Sequence, residues 1–304
     1  MPDSRRRSRP SRRPHPRPRP RAALAAALCS LLFVAGCGGA AKENSATAYA
    51  DGAGPTVIGT DGSAESRVVA ALYGELLADA GVKVRMASTR YSSPADTTRA
   101  VAEGRIALAP AYETSTLRAL PEAQTLPGNM AATLSMALPP GIDALPPARA
   151  ENGVVLAVTR ATARAHGLRT LADLAKAGRL TLGGSASGDP DAPSAASLHK
   201  AYGTHLTETR TSATADVLVL RGTDPVITRD GLVVLTDPKS ALPPEHVFPL
   251  IGAPYAGLAA SKALARLNSR LTTAQLAVLA ASVDGGASPS GTARTWLRSN
   301  GLLG

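Results

Sequence analysis

Residues 55–86 read PTVIGTDGSAESRVVAALYGELLADAGVKVRM, and this stretch decides the fold class. Pro55 to Thr60 is a short β-type run closing in a glycine corner, Gly59-Thr60-Asp61-Gly62-Ser63. From Ser63 to Ala80 the period changes to helical, with Val68, Val69, Leu72, Leu76 and Ala80 on one face and Gly81 as the stop. Val82 to Met86 then alternates as a second strand. The unit is β-α-β, and its polar corner at the helix start presents free backbone N–H groups and the positive end of the helix dipole.

The theme recurs along the chain. A helix over Ala95–Glu103 leads into a strand at Ile106–Pro110. Val154–Val158 reads as a buried strand, and Thr170 to Asp173 as a capping-box start for a helix through Lys176. Leu180–Leu182 is the next strand, running into the turn Gly183–Gly188; Val217–Leu220 and Leu232–Leu235 are strand-like. The C-terminal part is helical over Ser261–Asn268, Leu276–Val283 and Thr292–Asn300. Strands alternating with helices give an α/β protein with largely parallel sheets, and the Pro-rich stretch 139–147 divides two such clusters into two lobes.

The 304 residues carry a formal charge of +10, which by itself suggests an acidic partner such as nucleic acid. The charge is concentrated: residues 1–36 hold nine Arg and one Asp, a net +8, leaving +2 for the other 268. Aromatic residues make up only 3%, too few for the stacking platforms of single-strand binders, so no nucleic-acid partner is expected. The same 36 residues have the layout of an export signal, a basic segment followed by the short apolar run Ala22–Ala35. Val34-Ala35-Gly36-Cys37 resembles the lipobox of bacterial lipoproteins, which implies cleavage before Cys37, lipidation of its thiol and anchoring to the membrane. The alternatives are an uncleaved signal anchor or an ordinary leader that ends near a cysteine. Residues 37–54 read as a flexible tether.

Enzyme signals are weak. Ser197-Leu198-His199-Lys200 matches a Ser-x-x-Lys string without its companion motifs, and Gly183–Gly188 lacks both nucleotide-loop patterns. His199 and His205 stand six apart with no cysteine at ligand spacing, so no metal is expected and no cofactor is implied. An exported two-lobed α/β chain without a catalytic signature favours ligand capture between lobes over catalysis.

Five stretches, in order, resemble the glycine betaine/choline/carnitine substrate-binding proteins of ABC importers. Thr56 to Glu65 resembles that family's first strand and corner, which reads approximately Ile-Gly-Ser-Lys-Asp-Phe-Thr-Glu. Ala107-Leu-Ala-Pro-Ala-Tyr112 falls where the family has Asp-Leu-Tyr-Pro-Glu-Tyr. Tyr202-Gly203 matches a helix end; Thr223-Asp224 and Gly231 to Asp237 match a Thr-Asp-Gly and a Leu-Val-Val-Leu stretch, and Leu242-Pro-Pro244 continues it. The resemblance implies a type II periplasmic-binding-protein fold whose chain crosses the hinge twice. Lobe 1 would comprise 55–150 with 232–304, and lobe 2 would comprise 151–231. A small cationic or zwitterionic solute of the quaternary-ammonium type would lie between them, for delivery to a permease and its ATPase.

The departures bear on the ligand. The family encloses a quaternary ammonium in several aromatic faces. Here Ser63 replaces the corner Phe, Ala109 a Tyr and Ala111 a Glu, leaving Tyr112 as the retained ring and Tyr91 as a second candidate. The resemblance places Thr60 and Asp224 at strand ends facing the cleft, and Thr223, in the matching Thr-Asp pair, is a further ligand candidate. Asp61 is either a partner for a ligand ammonium or a solvated turn acid. A thinned cage implies a solute that is not fully methylated, or weak binding of one that is. The rival reading is a non-transporting ligand-binding or scaffold lipoprotein with a degenerate pocket on the same fold.

Overall fold

The computed structural model describes residues 54–120, 130–209 and 212–304. The leader, Cys37 and nearly all of the tether lie outside the described residues.

Two five-stranded sheets organise the described residues. The first has the order β2-β1-β3-β10-β4, built from β1 (Thr56–Ile58), β2 (Val84–Met86), β3 (Leu108–Tyr112), β4 (Ile142–Ala144) and β10 (Val247–Gly252). The second has the order β7-β6-β8-β5-β9, from β5 (Val154–Val158), β6 (Arg179–Gly183), β7 (His205–Glu208), β8 (Val217–Arg221) and β9 (Val233–Val234). Each contains three parallel strands (β2-β1-β3 and β7-β6-β8). Next to them lies an antiparallel strand, β10 or β5. The expectation of largely parallel sheets is therefore corrected to mixed ones: each return of the chain through the hinge enters its sheet from the opposite end, so β5 and β10 run against their neighbours.

Strand alternation sets the core. In β3 and β10, Leu108, Tyr112, Val247 and Ile251 face the long helix α1 (Ala64–Asp79) and the C-terminal helices α8 (Leu258–Asn268), α9 (Thr273–Asp284) and α10 (Pro289–Ser299). Ala109, Ala111, Phe248 and Leu250 face the other side, against α2 (Pro94–Ala102), α3 (Glu113–Ala119) and α4 (Met130–Ala137). The second lobe packs Val154, Leu156, Leu182 and Val219 against α5 (Arg160–His166), a 3-10 turn at Leu171–Lys176 and α6 (Ala195–Tyr202). There the predicted helix is 3-10, with the expected Thr170–Asp173 capping box.

Strand β10 is absent from the sequence reading, because Pro249 in its middle argues against a central strand. The structure shows how it is tolerated. Pro249 lies opposite Pro110 of β3, and its carbonyl accepts from Leu145 on the other side. The two prolines thus form a pair that exchanges no ladder bonds. Pro110 lacks its N–H toward β1, but β1 has ended at Ile58, opposite Leu108.

Two segments cross between the lobes, and they pair antiparallel. Ala148 donates to Val247 O at 2.8 Å, Val247 to Ala150 O at 3.1 Å and Asn152 to Glu245 O at 2.9 Å. The second crossing comes later than the sequence reading places it. Val233 and Val234 pair with Val158 and Ala157 of β5, and Leu235 and Leu242 pack in the second core, so residues 232–242 belong with lobe 2 rather than lobe 1.

The turn after β6 is fitted tightly to the middle of β8. Ala186 N donates to Val219 O at 3.1 Å, and a Cβ at Gly184 would overlap the Val219 backbone. Gly184→Ala should therefore cost about 2 kcal/mol or more of stability. Urea unfolding measures this, and a wild-type midpoint would contradict the packing described.

Candidate functional site

The glycine corner predicted from the sequence forms as a self-contained turn. Ser63 caps α1, accepting from Ser66 N at 3.1 Å. Asp61 Oδ1 accepts from Ser63 N at 2.9 Å and from Ser63 Oγ at 2.7 Å, and Thr60 Oγ1 accepts from Gly62 N at 3.1 Å. Both predicted site residues thus hold the corner itself, and Gly62 supplies the left-handed φ of 83° that the turn requires.

Two residues into α1 stands Glu65, only 7% exposed. Its position follows from helical spacing: 65, 68, 69 and 72 share a face, so the carboxylate points the same way as Val68, Val69 and Leu72. Three parts of the molecule answer it. Tyr112, at the end of β3 in lobe 1, donates its hydroxyl to Oε1. Asn152, on the first crossing segment, donates its amide to Oε2. Thr223, in lobe 2, places its hydroxyl 2.8 Å from Glu65 Oε2 and 2.8 Å from Asn152 Oδ1, with one proton to serve either, while its backbone N–H donates to Asn152 Oδ1 at 3.1 Å. Burial pushes the Glu65 carboxyl above the usual carboxylate range, against the pull of the Tyr112 and Thr223 hydrogen bonds. Burial, reinforced by the Glu65 charge, holds the Tyr112 hydroxyl well above the ordinary tyrosine range.

The remaining predicted residues fall nearby or apart. Asp224 follows Thr223 and caps the short helix α7 (Pro225–Arg229), accepting from Val226 N at 3.0 Å and from Ser185 Oγ at 3.0 Å. Tyr91 lies elsewhere in lobe 1, against Gly59 and with the Arg105 guanidinium 5.5 Å from its ring centroid. The structure therefore brings Tyr112, Thr223 and Asp224 to the neighbourhood of Glu65 and does not bring Tyr91 to Tyr112. Tyr202 has Lys239 over its ring at 5.1 Å, and Tyr73 and Phe248 are core residues.

Residues outside the sequence prediction complete the junction. A cavity of about 290 Å³ opens between the lobes, bordered by Glu65, Arg221, Thr223, Asp224 and, at the end of α9, Asp284. Arg221 donates to Asn152 O at 2.8 Å and is paired with Asp189. Arg118 on α3 bridges the lobes through a bidentate pair with Asp191, 2.7 Å for one arm. The first turn of α3 is itself bound to the second crossing segment. Glu245, fully buried, accepts from Thr114 N at 2.9 Å and from Ser115 Oγ at 2.8 Å, and Glu113 accepts from His246 N and Nδ1 at 3.1 and 3.0 Å. Among the described residues no group of three or more His, Cys, Asp or Glu could hold a metal ion.

Residues 54–299 match the family model for the substrate-binding domain of the ABC-type glycine betaine transport system. The chain belongs to this family. The ABC-type substrate-binding protein is similar in fold to a solved glycine betaine/carnitine/choline ABC transporter structure, with a TM-score of 0.70 at 20% identity over 82% of this chain and 99% of that one. Apo YehZ from Escherichia coli gives 0.63 at 17% identity, over 83% and 100% of the two chains. Lactococcal OpuAC, closed around glycine betaine, gives 0.50 at 15%, over 80% and 94%. No curated protein matches. These likenesses show the two-lobed periplasmic-binding-protein fold, and the family is one of transport rather than catalysis. Substrate-binding proteins of ABC importers work outside the cytoplasm, and none of the described helices is long and apolar enough to cross a membrane.

In this binding protein the hinge carries a titratable contact. The hydrogen bond to Glu113 raises the His246 imidazole above its ordinary 6.5, with burial opposing. The protonated ring therefore contributes stability that is fully present below 6.5 and is lost as pH rises through the raised value. Thermal unfolding followed from mildly acidic to mildly alkaline pH should show this loss, and His246→Gln should flatten it. An unchanged slope in the variant would remove the assignment.

Removing the carboxylate leaves the Tyr112 hydroxyl and the Asn152 amide without their acceptor, while Thr223 keeps Asn152 Oδ1, so Glu65→Ala should destabilise the protein by about 3 kcal/mol. Denaturant unfolding measures it, and a loss below about 1 kcal/mol would mean that water replaces the carboxylate freely.

Proposed function

We propose that this protein is the extracytoplasmic, lipid-anchored receptor of an ABC importer, capturing a small cationic or zwitterionic solute between its lobes and presenting it to a permease and its ATPase. The observation that carries this reading is the junction around Glu65, where one buried carboxylate draws together lobe 1, a crossing segment and lobe 2 beside a cavity of small-solute size. The Thr223 contact to this carboxylate forms only when both lobes approach and so favours the closed form, and a solute in the adjoining cavity adds to the same preference. Family membership and the acid-lined cavity support the quaternary-ammonium class. Lipid attachment at Cys37 rests on the small residues immediately before it and on the signal-like leader.

Calorimetry against choline, glycine betaine, carnitine and ectoine tests the solute class, with heat from at least one expected. Silence from all four would leave the fold and sink the solute reading. Cys37→Ser should release the protein from membranes in a carbonate wash; a variant that stays bound would point to an uncleaved anchor.

A second reading, a non-transporting binding or scaffold lipoprotein with a degenerate pocket, is favoured by one observation. Tyr112 has its ring in the lobe 1 core and its hydroxyl on Glu65, while Tyr91 and Tyr202 already face side-chain cations. That reading expects no solute-induced rise in melting temperature.

A further inference from the structure

We infer that Glu65 is a proton-binding site completed by lobe 2: its carboxyl carries a proton while Thr223 is in contact with it and returns that proton to water when the lobes part. This goes beyond the solute-binding role and does not depend on which solute is bound.

The protons available at the junction do not suffice for its contacts. Thr223 Oγ1 lies 2.8 Å from Glu65 Oε2 and 2.8 Å from Asn152 Oδ1. Both separations are hydrogen bonds, and each needs a proton between its two oxygens. Thr223 has one hydroxyl proton, so an ionised Glu65 leaves one of the two contacts without any. Asn152 cannot make up the shortfall. Its Oδ1 accepts from the Thr223 backbone N–H at 3.1 Å, which fixes the amide with its NH2 toward Glu65. Turning the amide over would set its NH2 against that N–H and its oxygen against Glu65 Oε2, a contact that needs a carboxyl proton just the same. A proton on Oε2 resolves the arrangement. The carboxyl donates to Thr223, the Thr223 hydroxyl donates to Asn152, Oε2 keeps a lone pair for the Asn152 amide, and Oε1 still accepts from Tyr112.

Burial alone would not single out Glu65, as a second acid shows. Glu245 is fully buried, yet it accepts from Thr114 N at 2.9 Å, Ser115 N at 3.1 Å and Ser115 Oγ at 2.8 Å, with Arg118 3.9 Å away. Every contact there brings its own proton, so the ionised form is satisfied.

The groups facing Glu65 divide. Burial and the Asp61 charge on the corner favour the neutral form, while Arg221 at the end of β8 and the positive end of α1 favour the ionised one. Asp224 and Asp284 border the adjoining cavity and add negative charge. With lobe 2 withdrawn, Thr223 leaves and water reaches the carboxyl, which then ionises as an ordinary glutamate. Closing therefore takes up one proton, and acid favours the closed form. The gain is at most about tenfold per pH unit, confined to the interval between the exposed carboxyl's value and the raised one.

Carbon-13 NMR of protein labelled at its glutamate carboxyls tests this without a solute. At a pH where exposed glutamates are ionised, one carboxyl should give the signal of a protonated acid. That signal should be absent from Glu65→Gln and present in Glu245→Gln. Thr223→Val removes the acceptor of the carboxyl proton and should move the titration down toward the ordinary range, because the neutral form loses two hydrogen bonds and the ionised form one. A site governed by burial alone would move up, since valine is the more apolar neighbour. If Glu65→Gln fails to fold, the wild-type and Thr223→Val spectra decide, because the signal that moves between them belongs to the acid in contact with residue 223. A Glu65 carboxyl already ionised in the wild type, or one whose titration rises in Thr223→Val, would overturn the inference.

Discussion

A carboxylate removed from water must be answered by donors, and at Glu65 those donors come from three separate parts of the chain. That requirement organises the molecule. Tyr112 reaches Glu65 because β3 alternates, which turns residue 112 to the α1 side of the sheet with Leu108. Asn152 reaches it because the first crossing segment passes the N-terminal end of α1, and Thr223 because β8 ends at the junction. With the lobes apart, Thr223 would lose its place and the carboxylate would regain water. The approach of the lobes is thus tied to the solvation of one side chain, a large lever on an equilibrium governed by a few kcal/mol.

The second crossing segment carries a complementary device. Glu245 is fully buried and caps the first turn of α3, His246 holds Glu113 in that same turn, and α3 in turn extends Arg118 to Asp191 of the other lobe. Arg118 is partly exposed and Asp191 nearly buried, so the bridge is worth more than a surface pair and less than a dry one. Bending at the crossing segments therefore moves the α3 end of this bridge directly. The inner contact, at Glu65, is hydrogen bonding in a dry place; the outer one, at Arg118, is an ion pair open to salt.

Much of the architecture was legible in the sequence because periodicity records burial. Helix α1 begins after Ser63 as the polar corner implies, β5 matches Val154–Val158 residue for residue, and α9 covers the expected Leu276–Val283. Strand β10 was hidden by Pro249, whose missing donor is tolerated because that side of the residue faces Leu145, just past the end of β4, and not β3, a fact of register that no single strand reveals. The site was less legible. Thr60, Asp61 and Asp224 use their side chains to secure turns and caps. Glu65 did leave a signal, an acid at the i position of an apolar i, i+3, i+4, i+7 face, which marks a carboxylate that must find partners inside. Asn152, Arg118, Asp189 and Asp191 left none, since their meaning arises from pairing across lobes.

The two sheets also differ in when they can exist. Lobe 2 is continuous from Val154 to Leu242, so its whole sheet emerges in one length of chain. The first sheet has a gap between β3 and β4 that only β10 fills, after more than a hundred residues have intervened. During synthesis and export the N-terminal strands must wait, with an unpaired edge on β3, until the last third of the polypeptide arrives. The lobe begun second is the one able to fold first, and it is a finished neighbour by the time the C-terminal strand closes the other.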